Sequence, residues 1–268
     1  MADFICPVCS LPLELHDRVY RCDNNHCFDK SKYGYVNLLR SNSSSAKRHG
    51  DDRLMIRARR DFLSKGYYSF LLDEICGVCG KYAPANALLI DAGCGECYYS
   101  SSILQRFPSY TAAGADISKD ALEFAYKRGV RFPLCAASVS ALPFEDEKAD
   151  IILSCFAPDS PAEFKRILRP GGILIKVMPL EEHLFSLKSA VYENPYPNER
   201  PDTSQEGFEL IEYRETKRDI TLDNCEDIMN LFRMTPYYYK TGRDDQQKAE
   251  KLEILETCAA FGIAVFKK

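Results

Sequence analysis

Short apolar runs alternate with stretches of helical periodicity along the chain after Pro84. The runs predict buried strands, and the stretches between them repeat apolar residues three and four positions apart, as an amphipathic helix does. Strands are predicted at residues 87–91, 112–116, 134–137, 150–155 and 173–178, and helices at residues 98–107, 119–128 and 161–168. This alternation implies a mainly parallel sheet with helices on both faces.

The last quarter of the chain adds two more strands to this sheet. They are predicted at residues 208–220 and 261–266, with a helix at residues 224–232 between them. The predicted sheet therefore has seven strands. Ahead of them, residues 192–206 contain three prolines and predict a loop.

The residues before Pro84 predict a small module followed by a helical connection. Residues 1–36 suggest short strands around a cysteine-rich turn, and residues 41–50 are small and polar, as in a loop. Two helices are predicted between residues 52 and 79, with a break near Gly66. We expect three parts: a module at residues 1–40, a connection at residues 41–83 and an α/β domain at residues 84–268.

Composition and charge limit the classes of protein that the chain can belong to. Among 268 residues, 46% are apolar and 28% charged, as in a globular protein, and the net charge of −4 argues mildly against nucleic acid as a partner. Residues 40–65, however, hold eight basic and three acidic residues, which suits either a docked polyanion or a solvated helix. No apolar run has the length of a membrane span, and no signal peptide is evident. We expect a cytoplasmic protein.

Four residues near the N-terminus have the spacing of ligands for one tetrahedral zinc ion. Cys6 and Cys9 form a C-x2-C pair, Cys22 follows after twelve residues and His26 after three more. Cysteines stay reduced in the cytosol, so this crowding favours a metal over disulfides. Cys27 is an alternative fourth ligand, and the residues alone leave that position open.

A second group of cysteines has zinc-like spacing within the α/β domain. Cys76, Cys79, Cys94 and Cys97 follow the pattern C-x2-C-x14-C-x2-C. Cys94 and Cys97 belong to a loop that has the character of a cofactor-binding turn, and a metal there would occupy the cofactor site. We therefore expect one zinc ion.

The loop after the first predicted strand has the pattern of a nucleoside-binding turn. Asp91 is followed by Gly93 and Gly95, which let the backbone approach a ligand, while the carboxylate orients the turn. The last glycine of a dinucleotide fingerprint is missing, and no P-loop lysine follows, which disfavours a pyrophosphate or a nucleoside triphosphate. Asp116 ends the next strand, where a carboxylate can bond ribose hydroxyls.

Together with Leu-Pro-Phe-Glu-Asp at residues 142–146 and Arg-Pro-Gly-Gly at residues 169–172, this loop is similar to that of S-adenosylmethionine-dependent methyltransferases. The resemblance implies a Rossmann-like α/β fold with S-adenosyl-L-methionine as its cofactor. Cys97 stands where the pattern usually has glycine, and we expect it to crowd the methionine end of the cofactor slightly.

Over its whole length the chain resembles the bacterial 23S rRNA (guanine-N(1))-methyltransferases, a family that includes macrolide-resistance enzymes. The resemblance is carried by the four zinc ligands and by further stretches: residues 34–39, Ala58-Arg-Arg60 with residues 62–63 and Gly66, residues 91–96 with Tyr98-Tyr99, Pro179 with His183-Leu184, and Met234-Thr-Pro236. It implies methylation of one guanine in a hairpin loop of 23S rRNA. It also implies a homodimer whose zinc modules help to hold the RNA.

The resemblance further implies roles for individual residues. Tyr68, Gly95, Glu96 and His183 match cofactor contacts of the family, and its spacing favours His26 over Cys27 as the fourth zinc ligand. Without the resemblance, His183 would be read as the cap of a helix that starts near Glu181.

The chemistry of the implied reaction requires a base, because a guanine N1 carries a proton that must leave before or during attack. Asp159 follows the fourth strand, beside the expected methyl group, and is our candidate base. Its alternative is a cap for the helix that starts at Ser160-Pro161, and the sequence favours this alternative.

Two further groups have open interpretations. Tyr237-Tyr-Tyr239 is either a stacking platform for an unpaired base or a packed strand. Arg59 and Arg60 are candidates for phosphate contacts, although either could instead pair with Asp61 or Asp91.

Two rival functions remain compatible with the sequence. A small-molecule methyltransferase would share the cofactor motifs, but it would not need the zinc module or the basic stretch. A zinc-bearing RNA-binding protein with a degenerate cofactor site is suggested by Cys97.

Overall fold

The computed structural model describes residues 4–39 and 50–268. Most of the predicted loop at residues 41–50, together with Arg40, Lys47 and Arg48 of the basic stretch, lies outside the described residues. The described part contains a three-stranded sheet near the N-terminus and an eight-stranded central sheet.

The small sheet is antiparallel and consists of β1 (Glu14–His16), β2 (Val19–Arg21) and β3 (Cys27–Asp29). The strands of the central sheet are β4 (Val36–Asn37), β5 (Leu88–Ala92), β6 (Thr111–Asp116), β7 (Leu134–Ala136), β8 (Ala149–Cys155), β9 (Leu168–Pro179), β10 (Glu209–Leu222) and β11 (Leu255–Lys267). Their order is β10-β11-β9-β8-β5-β6-β7-β4. Only β11 runs antiparallel to its two neighbours, β9 and β10.

Helices cover both faces of the central sheet. They are α1 (Arg53–Ser64), α2 (Ser69–Tyr82), α3 (Tyr98–Arg106), α4 (Lys119–Arg128), α5 (Pro161–Ile167), α6 (Phe185–Val191), α7 (Cys225–Arg233), α8 (Pro236–Tyr239) and α9 (Arg243–Glu250). Local signals explain where several of them begin. The side chains of Asp52, Ser118 and Asn224 accept hydrogen bonds from the first turns of α1, α4 and α7.

The predicted α/β architecture is confirmed, and all seven predicted strands are present. The central sheet has an eighth strand, β4, which pairs in parallel with Cys135 and Ala136 of β7. Two residues are too few to show an apolar period, so β4 could not be predicted as a strand. Because β4 comes from the N-terminal part of the chain, the module and the α/β domain share one sheet.

The segment after α7 is not a strand, so the interpretation of its three tyrosines as a packed strand is wrong. Pro236–Tyr239 forms the short helix α8, which Pro236 begins in its first turn. Tyr238 packs against Phe232 of α7, with ring centroids 5.3 Å apart. Tertiary contact with α7 therefore overrides the strand preference of three successive tyrosines.

The N-terminal module also packs directly on the α/β domain. Phe4 is fully buried against Phe144, with ring centroids 5.6 Å apart, and Ile5 N donates to the carbonyl oxygen of Pro143 at 2.9 Å. Apolar burial of this kind, combined with a shared sheet, fixes the module relative to the α/β domain.

The strand order creates a crevice at one edge of the central sheet. From β5 the chain proceeds to β6 on one side, whereas β8 lies on the other side of β5. The loops that follow β5 and β8 therefore leave the carboxyl ends of two adjacent parallel strands, where the connections turn to opposite sides of the sheet order. Open α/β sheets bind their ligands at such a switch point.

Candidate functional site

The four predicted zinc ligands lie together in the N-terminal module. The ligand atoms of Cys6, Cys9, Cys22 and His26 are all within 4.8 Å of one another. His26 Nδ1 is 3.5 Å from Cys6 Sγ and 3.4 Å from Cys22 Sγ. Three sulfurs and one imidazole nitrogen in a closed cluster are a donor set that suits a structural Zn²⁺, so the residues fit the metal.

Two tight turns bring the ligands together. Ser10 N donates to the carbonyl oxygen of Cys6, and Asn25 N donates to that of Cys22. Ser10 and Asn25 both have positive φ, near 62° and 61°, which lets each turn close within a few residues. The backbone N–H of Leu11 lowers the pKa of the Cys9 thiol to about 6, which favours the thiolate that a metal binds.

The structure resolves the choice between His26 and Cys27. Cys27 is exposed, and its thiol donates to the carbonyl oxygen of Asn25 at 3.4 Å instead of joining the cluster. No second group of zinc ligands forms within residues 4–39 and 50–268: Cys76 and Cys79 are on the buried face of α2, and Cys94 and Cys97 lie in the loop after β5. One zinc site is therefore present, as expected.

The loop after β5 has the backbone of a cofactor-binding turn. Gly93 and Gly95 have φ of 82° and 54°, in the left-handed region. A Cβ on Gly93 would lie 2.5 Å from the Cβ of Ala157, in the loop after β8. Only glycine allows the two loops at the switch point to approach this closely.

Two carboxylates, Asp116 and Asp91, lie next to the same loop. Gly95 N donates to Asp116 Oδ2 at 2.8 Å, and Ser118 N donates to Asp116 Oδ1 at 2.7 Å. Each oxygen has a further lone pair, so Asp116 can still accept ribose hydroxyls. Asp91 is buried at the end of β5, and burial, with a smaller effect of the nearby Asp116, raises its pKa to about 7.

Cys97 does not crowd the cleft. Its side chain is fully buried beneath the loop in an apolar cluster with Leu122 and Ala125 of α4. The replacement of glycine affects the backbone instead, because Cys97 has a φ of 62° immediately before α3. The expected crowding is therefore wrong: the cost is backbone strain of about 1–2 kcal/mol.

Glu96 provides an unpaired acceptor beside the cofactor loop. Its side chain is 2% exposed, and Oε2 accepts a hydrogen bond from Arg128 Nε. Oε1 is buried without a hydrogen-bond partner among the described residues. Burial raises the pKa of this carboxyl, and the charge of Arg128 opposes that change. A cationic group on a ligand would complete the hydrogen bonding of Oε1.

Tyr68 and His183 lie together in an aromatic cluster near the same edge. Their ring centroids are 6.2 Å apart, and both pack on Phe261 of β11, at 4.9 and 4.6 Å. The hydroxyl of Tyr68 is buried without a hydrogen-bond partner among the residues described, and so is that of Tyr99 on α3. Three buried polar atoms from three segments, Glu96 Oε1 and the hydroxyls of Tyr68 and Tyr99, thus have no hydrogen-bond partner among the described residues.

His183 is not a helix cap. α6 begins at Phe185, with Leu184 as its N-cap residue. The Nδ1 atom of His183 accepts a hydrogen bond from the backbone N–H of Ala260 at 3.1 Å. Burial lowers the pKa of the ring to about 3, so the imidazole is neutral and carries its proton on Nε2.

Arg59 is a site residue that sequence reasoning assigned elsewhere. Its Nη1 atom lies 3.8 Å from the position of a Cβ on Gly95 and donates to Asp51 Oδ2 at 2.5 Å. Its Nη2 atom donates to the carbonyl oxygen of Met234 at 3.4 Å. Arg59 therefore holds a positive charge over the cofactor loop. The Ala-Arg-Arg stretch of the resemblance was the available signal.

The unpaired atoms and charges fit S-adenosylmethionine. Its amino-acid end carries one ammonium and one carboxylate, which match the free oxygen of Glu96 and the guanidinium of Arg59. Asp116 lies where the ribose binds in this fold. The candidate site residues Asp91, Gly93, Gly95, Glu96 and Asp116 thus lie in one loop or next to it in the fold.

Asp159 lies in the loop after β8, and it does not cap α5. The N-cap residue of α5 is Ser160, which makes no side-chain capping bond. Asp159 Oδ2 instead accepts from Lys176 Nζ at 2.8 Å, and Oδ1 accepts from Gln205 Nε2 at 3.0 Å. This loop also exposes Phe156, whose side chain is 48% exposed and whose φ is 56°.

The described part of the basic stretch is largely neutralised. Arg53 pairs with Asp120 and Glu123, Arg60 pairs with Asp61, and Lys65 pairs with Asp227. Arg57 presents an exposed side chain on α1. The part of the stretch from Gly50 to Lys65 is therefore closer to a solvated, ion-paired helix than to a continuous basic surface.

Within the described residues, no helix is both long and apolar enough to cross a membrane.

Comparisons with known proteins agree with both halves of the chain. A family model described as the N-terminal zinc ribbon of RlmA matches residues 4–47, and one described as a methyltransferase domain matches residues 89–172. The two matches contain the zinc cluster and the cofactor loop, respectively.

Three relatives that the chain matches over about two thirds of its length share one named activity. The chain is 37% identical to the 23S rRNA (guanine(748)-N(1))-methyltransferase of Streptomyces fradiae, over 69% of this chain and 66% of the relative. It is 32% identical to a protein of Micromonospora griseorubida (68% and 67% covered) and 30% identical to YxjB of Bacillus subtilis strain 168 (70% and 68% covered). Both are provisionally named 23S rRNA (guanine-N(1)-)-methyltransferases. The matches span about two thirds of each relative. The chain belongs to the 23S rRNA (guanine-N(1))-methyltransferase family.

Proposed function

We propose that this protein methylates the N1 atom of one guanine in a hairpin loop of 23S rRNA, with S-adenosyl-L-methionine as methyl donor. The observation that carries the proposal is the connection between the zinc module and the cofactor edge, by which we mean the edge of the central sheet that carries the loops after β5 and β8. Strand β4 and the Phe4–Phe144 contact hold a module of RNA-binding type in a fixed position relative to the methyl donor. A large substrate held by the module would thus meet the crevice in a defined orientation.

The residues of the crevice have complementary tasks in this reaction. Glu96 and Arg59 bind the charged amino-acid end of the cofactor, and Asp116 binds its ribose. When bound, the cofactor would supply an electrophilic methyl group on a sulfonium. Tyr68 and His183 close the apolar side of the site and exclude water from it.

Asp159 is the proposed base for the proton on guanine N1. It stands in the loop after β8, two residues beyond Ala157, which abuts Gly93 of the cofactor loop. Its side chain is 42% exposed, so a base turned out of an RNA loop can reach it. Phe156 offers an exposed ring in the same loop on which such a base can stack.

The remaining parts of the proposal concern the assembly. We propose a cytoplasmic homodimer, since ribosomal RNA is processed there and the resemblance implies two zinc modules. Light scattering of the purified protein tests the dimer: a mass near 61 kDa, twice the 30.5 kDa of one chain, is expected, and a monomer mass contradicts it.

Two other functions make different predictions in the same assay. A small-molecule methyltransferase would bind the cofactor and leave RNA unlabelled. An RNA-binding protein with a degenerate site would fail to bind millimolar cofactor. The unpaired oxygen of Glu96 favours a functional cofactor site over the second alternative.

The test is transfer of labelled methyl groups to total RNA from a strain that lacks this protein, followed by nucleoside analysis. We expect the label in 1-methylguanosine of large-subunit RNA. Cofactor binding without label in RNA would contradict the proposal and favour a small substrate.

A further inference from the structure

Asp159, Lys176 and Gln205 form a closed hydrogen-bonded group, here called the Lys176 triad. Lys176 Nζ donates to Asp159 Oδ2 at 2.8 Å and to Gln205 Oε1 at 2.7 Å, and Gln205 Nε2 donates to Asp159 Oδ1 at 3.0 Å. Every member bonds both others. Such reciprocal bonding fixes all three polar ends relative to one another.

Three separate segments of the chain build this group. Lys176 is on β9, opposite Ser154 of β8, Asp159 is in the loop after β8, and Gln205 is buried at the end of the proline-containing segment. The side chain of Lys176 is 12% exposed although it interrupts an apolar strand. A lysine in this position has a desolvation cost, which its bonds to Asp159 and Gln205 offset.

The proposed reaction needs a base for the N1 proton and a cation for the charge that the purine gains, and the triad contains one of each. Removing the proton from guanine N1 leaves an electron pair, and hence a negative charge, shared between N1 and O6 of the purine. A carboxylate can take the proton, but it then no longer balances the charge of Lys176. A cation beside O6 would balance the charge that the purine gains.

We propose that Lys176 is a catalytic residue that donates a hydrogen bond to guanine O6 while Asp159 takes the proton from N1. This inference rests on the proposed function. The N1–H bond breaks, its electron pair stays on the purine, and an O–H bond forms on Asp159. The positive charge of Lys176 thereby exchanges one anionic partner for another, so the net charge of the group stays constant. After methyl transfer Asp159 returns the proton to water.

Lys176 has the donor capacity that this role requires. An ammonium has three N–H donors, and the described residues supply two acceptors within hydrogen-bond distance, Asp159 and Gln205. The third donor remains for O6. Gln205 acts as a positioning residue, because its amide bonds both charged partners and keeps them aligned.

The arrangement also explains a preference for guanine. Adenine presents an amino group where guanine presents O6, and its N1 carries no proton. Lys176 would then face a donor with a donor, and Asp159 would have no proton to accept. A buried polar group left unpaired in this way discriminates strongly against the wrong base.

The charged surroundings of Lys176 must be considered in a pH experiment. Asp159 is its ion-pair partner, and Asp202, in the segment before Gln205, is a second carboxylate close enough to interact. The backbone N–H of Ser204 is the main cause of a lowered pKa of Asp202, and Lys176 contributes to it. Asp202 is therefore charged throughout the neutral range and does not itself titrate there.

The test measures the single-turnover rate of methyl transfer to 23S rRNA between pH 6 and pH 9 for three variants. Lys176→Met should lower the rate about 100- to 1,000-fold at pH 7, the range for removal of one preorganised donor to a developing anion. The loss should shrink as pH rises, because hydroxide increasingly removes the N1 proton. The rate of Lys176→Arg should be at least tenfold higher than that of Lys176→Met, since arginine keeps the positive charge.

Lys248→Met is the matched control, because Lys248 is also ion-paired, to Asp245 at 2.6 Å, but on α9. It should leave the rate within threefold of the unaltered protein. A rate within threefold for Lys176→Met would overturn the inference, and so would a loss that is independent of pH. An unaltered protein that methylates no guanine would instead overturn the proposed function. Cofactor titration of Lys176→Met should be unchanged, and a parallel loss of cofactor affinity would also contradict the catalytic role.

Discussion

The zinc module and the cofactor edge are built in opposite ways. All four zinc ligands come from 21 consecutive residues, Cys6 to His26, and two short turns bring them together. The cofactor edge instead combines residues from Arg59 to His183, which only the folded sheet brings into proximity. The first site depends on its metal for its structure, whereas the second depends on the core and exists before any ligand binds.

Metal removal is expected to have the largest effect. It should unfold the zinc module and leave the α/β domain folded. Structural zinc contributes about 10–16 kcal/mol in small modules, so chelation should unfold residues 4–39. The sheet from β5 to β11 should stay folded, because its central strands, such as β5 and β8, are buried almost throughout. Hydrogen exchange measured by mass spectrometry checks this, with protection lost in the module alone.

Cys27→Ser is the control for the metal prediction, because its thiol lies outside the cluster. It should retain one zinc per chain. Global loss of protection on chelation would show that the two regions are not independent and would break the comparison.

A substitution in the cofactor loop should have the next largest effect, which is a loss of stability in the α/β domain. Gly93→Ala places a Cβ 2.5 Å from Ala157 at a left-handed φ, which should cost about 2–5 kcal/mol of unfolding free energy. Gly242→Ala meets nothing within 4 Å and should change that free energy by less than about 0.5 kcal/mol. Urea unfolding of both variants measures the difference, and equal midpoints would contradict the loop geometry.

Glu96→Gln should weaken the cofactor site without disturbing the zinc module. Loss of a charge-assisted hydrogen bond costs about 1.5–3 kcal/mol, so the dissociation constant of S-adenosylmethionine should rise roughly 10- to 100-fold. Calorimetric titration measures this. Asp73→Asn removes an exposed carboxylate and should have no effect, and unchanged binding by Glu96→Gln would remove Glu96 from the site.

The smallest predicted effect concerns the pH dependence of stability through His183. Its pKa is lowered by burial to about 3 in the folded protein, whereas an unfolded histidine titrates near 6.5. The unfolded chain therefore binds more protons between these values, so the contribution of His183 is complete above pH 6.5 and is lost as pH falls. Between pH 7 and pH 5 the loss should be about 2 kcal/mol.

His183→Asn keeps an acceptor for the Ala260 N–H and removes the titrating ring. Its unfolding free energy should fall less than that of the unaltered protein over the same pH interval. Identical slopes in urea titrations would mean that His183 is not buried in its neutral form.

The contrast between a site built from consecutive residues and one built from distant residues also explains which features the sequence could predict. The seven strands and the zinc ligands follow from local apolar period and spacing, except for the choice of His26, which needed the resemblance. β4 was missed because two residues show no period. The role of Arg59 was missed because its partners, Gly95 and Met234, are distant in the chain.

The environment of Asp159 illustrates the limit most clearly. A carboxylate before Ser-Pro has the local pattern of a helix cap, but tertiary contacts with Lys176 and Gln205 take its place. One sequence signal was available, a lysine within the apolar strand at residues 173–178. No local rule connects that lysine to Asp159 or to Gln205, so the triad required the structure.

The central claim is that the zinc module holds the RNA while the cofactor edge binds the methyl donor. Its most direct test uses Cys22→Ala, with two properties measured on one preparation. We expect a dissociation constant for S-adenosylmethionine within threefold of that of the unaltered protein, together with a more than 100-fold loss of methyl transfer to 23S rRNA. Methylation retained without the zinc cluster would contradict the claim that the module holds the RNA at the cofactor edge.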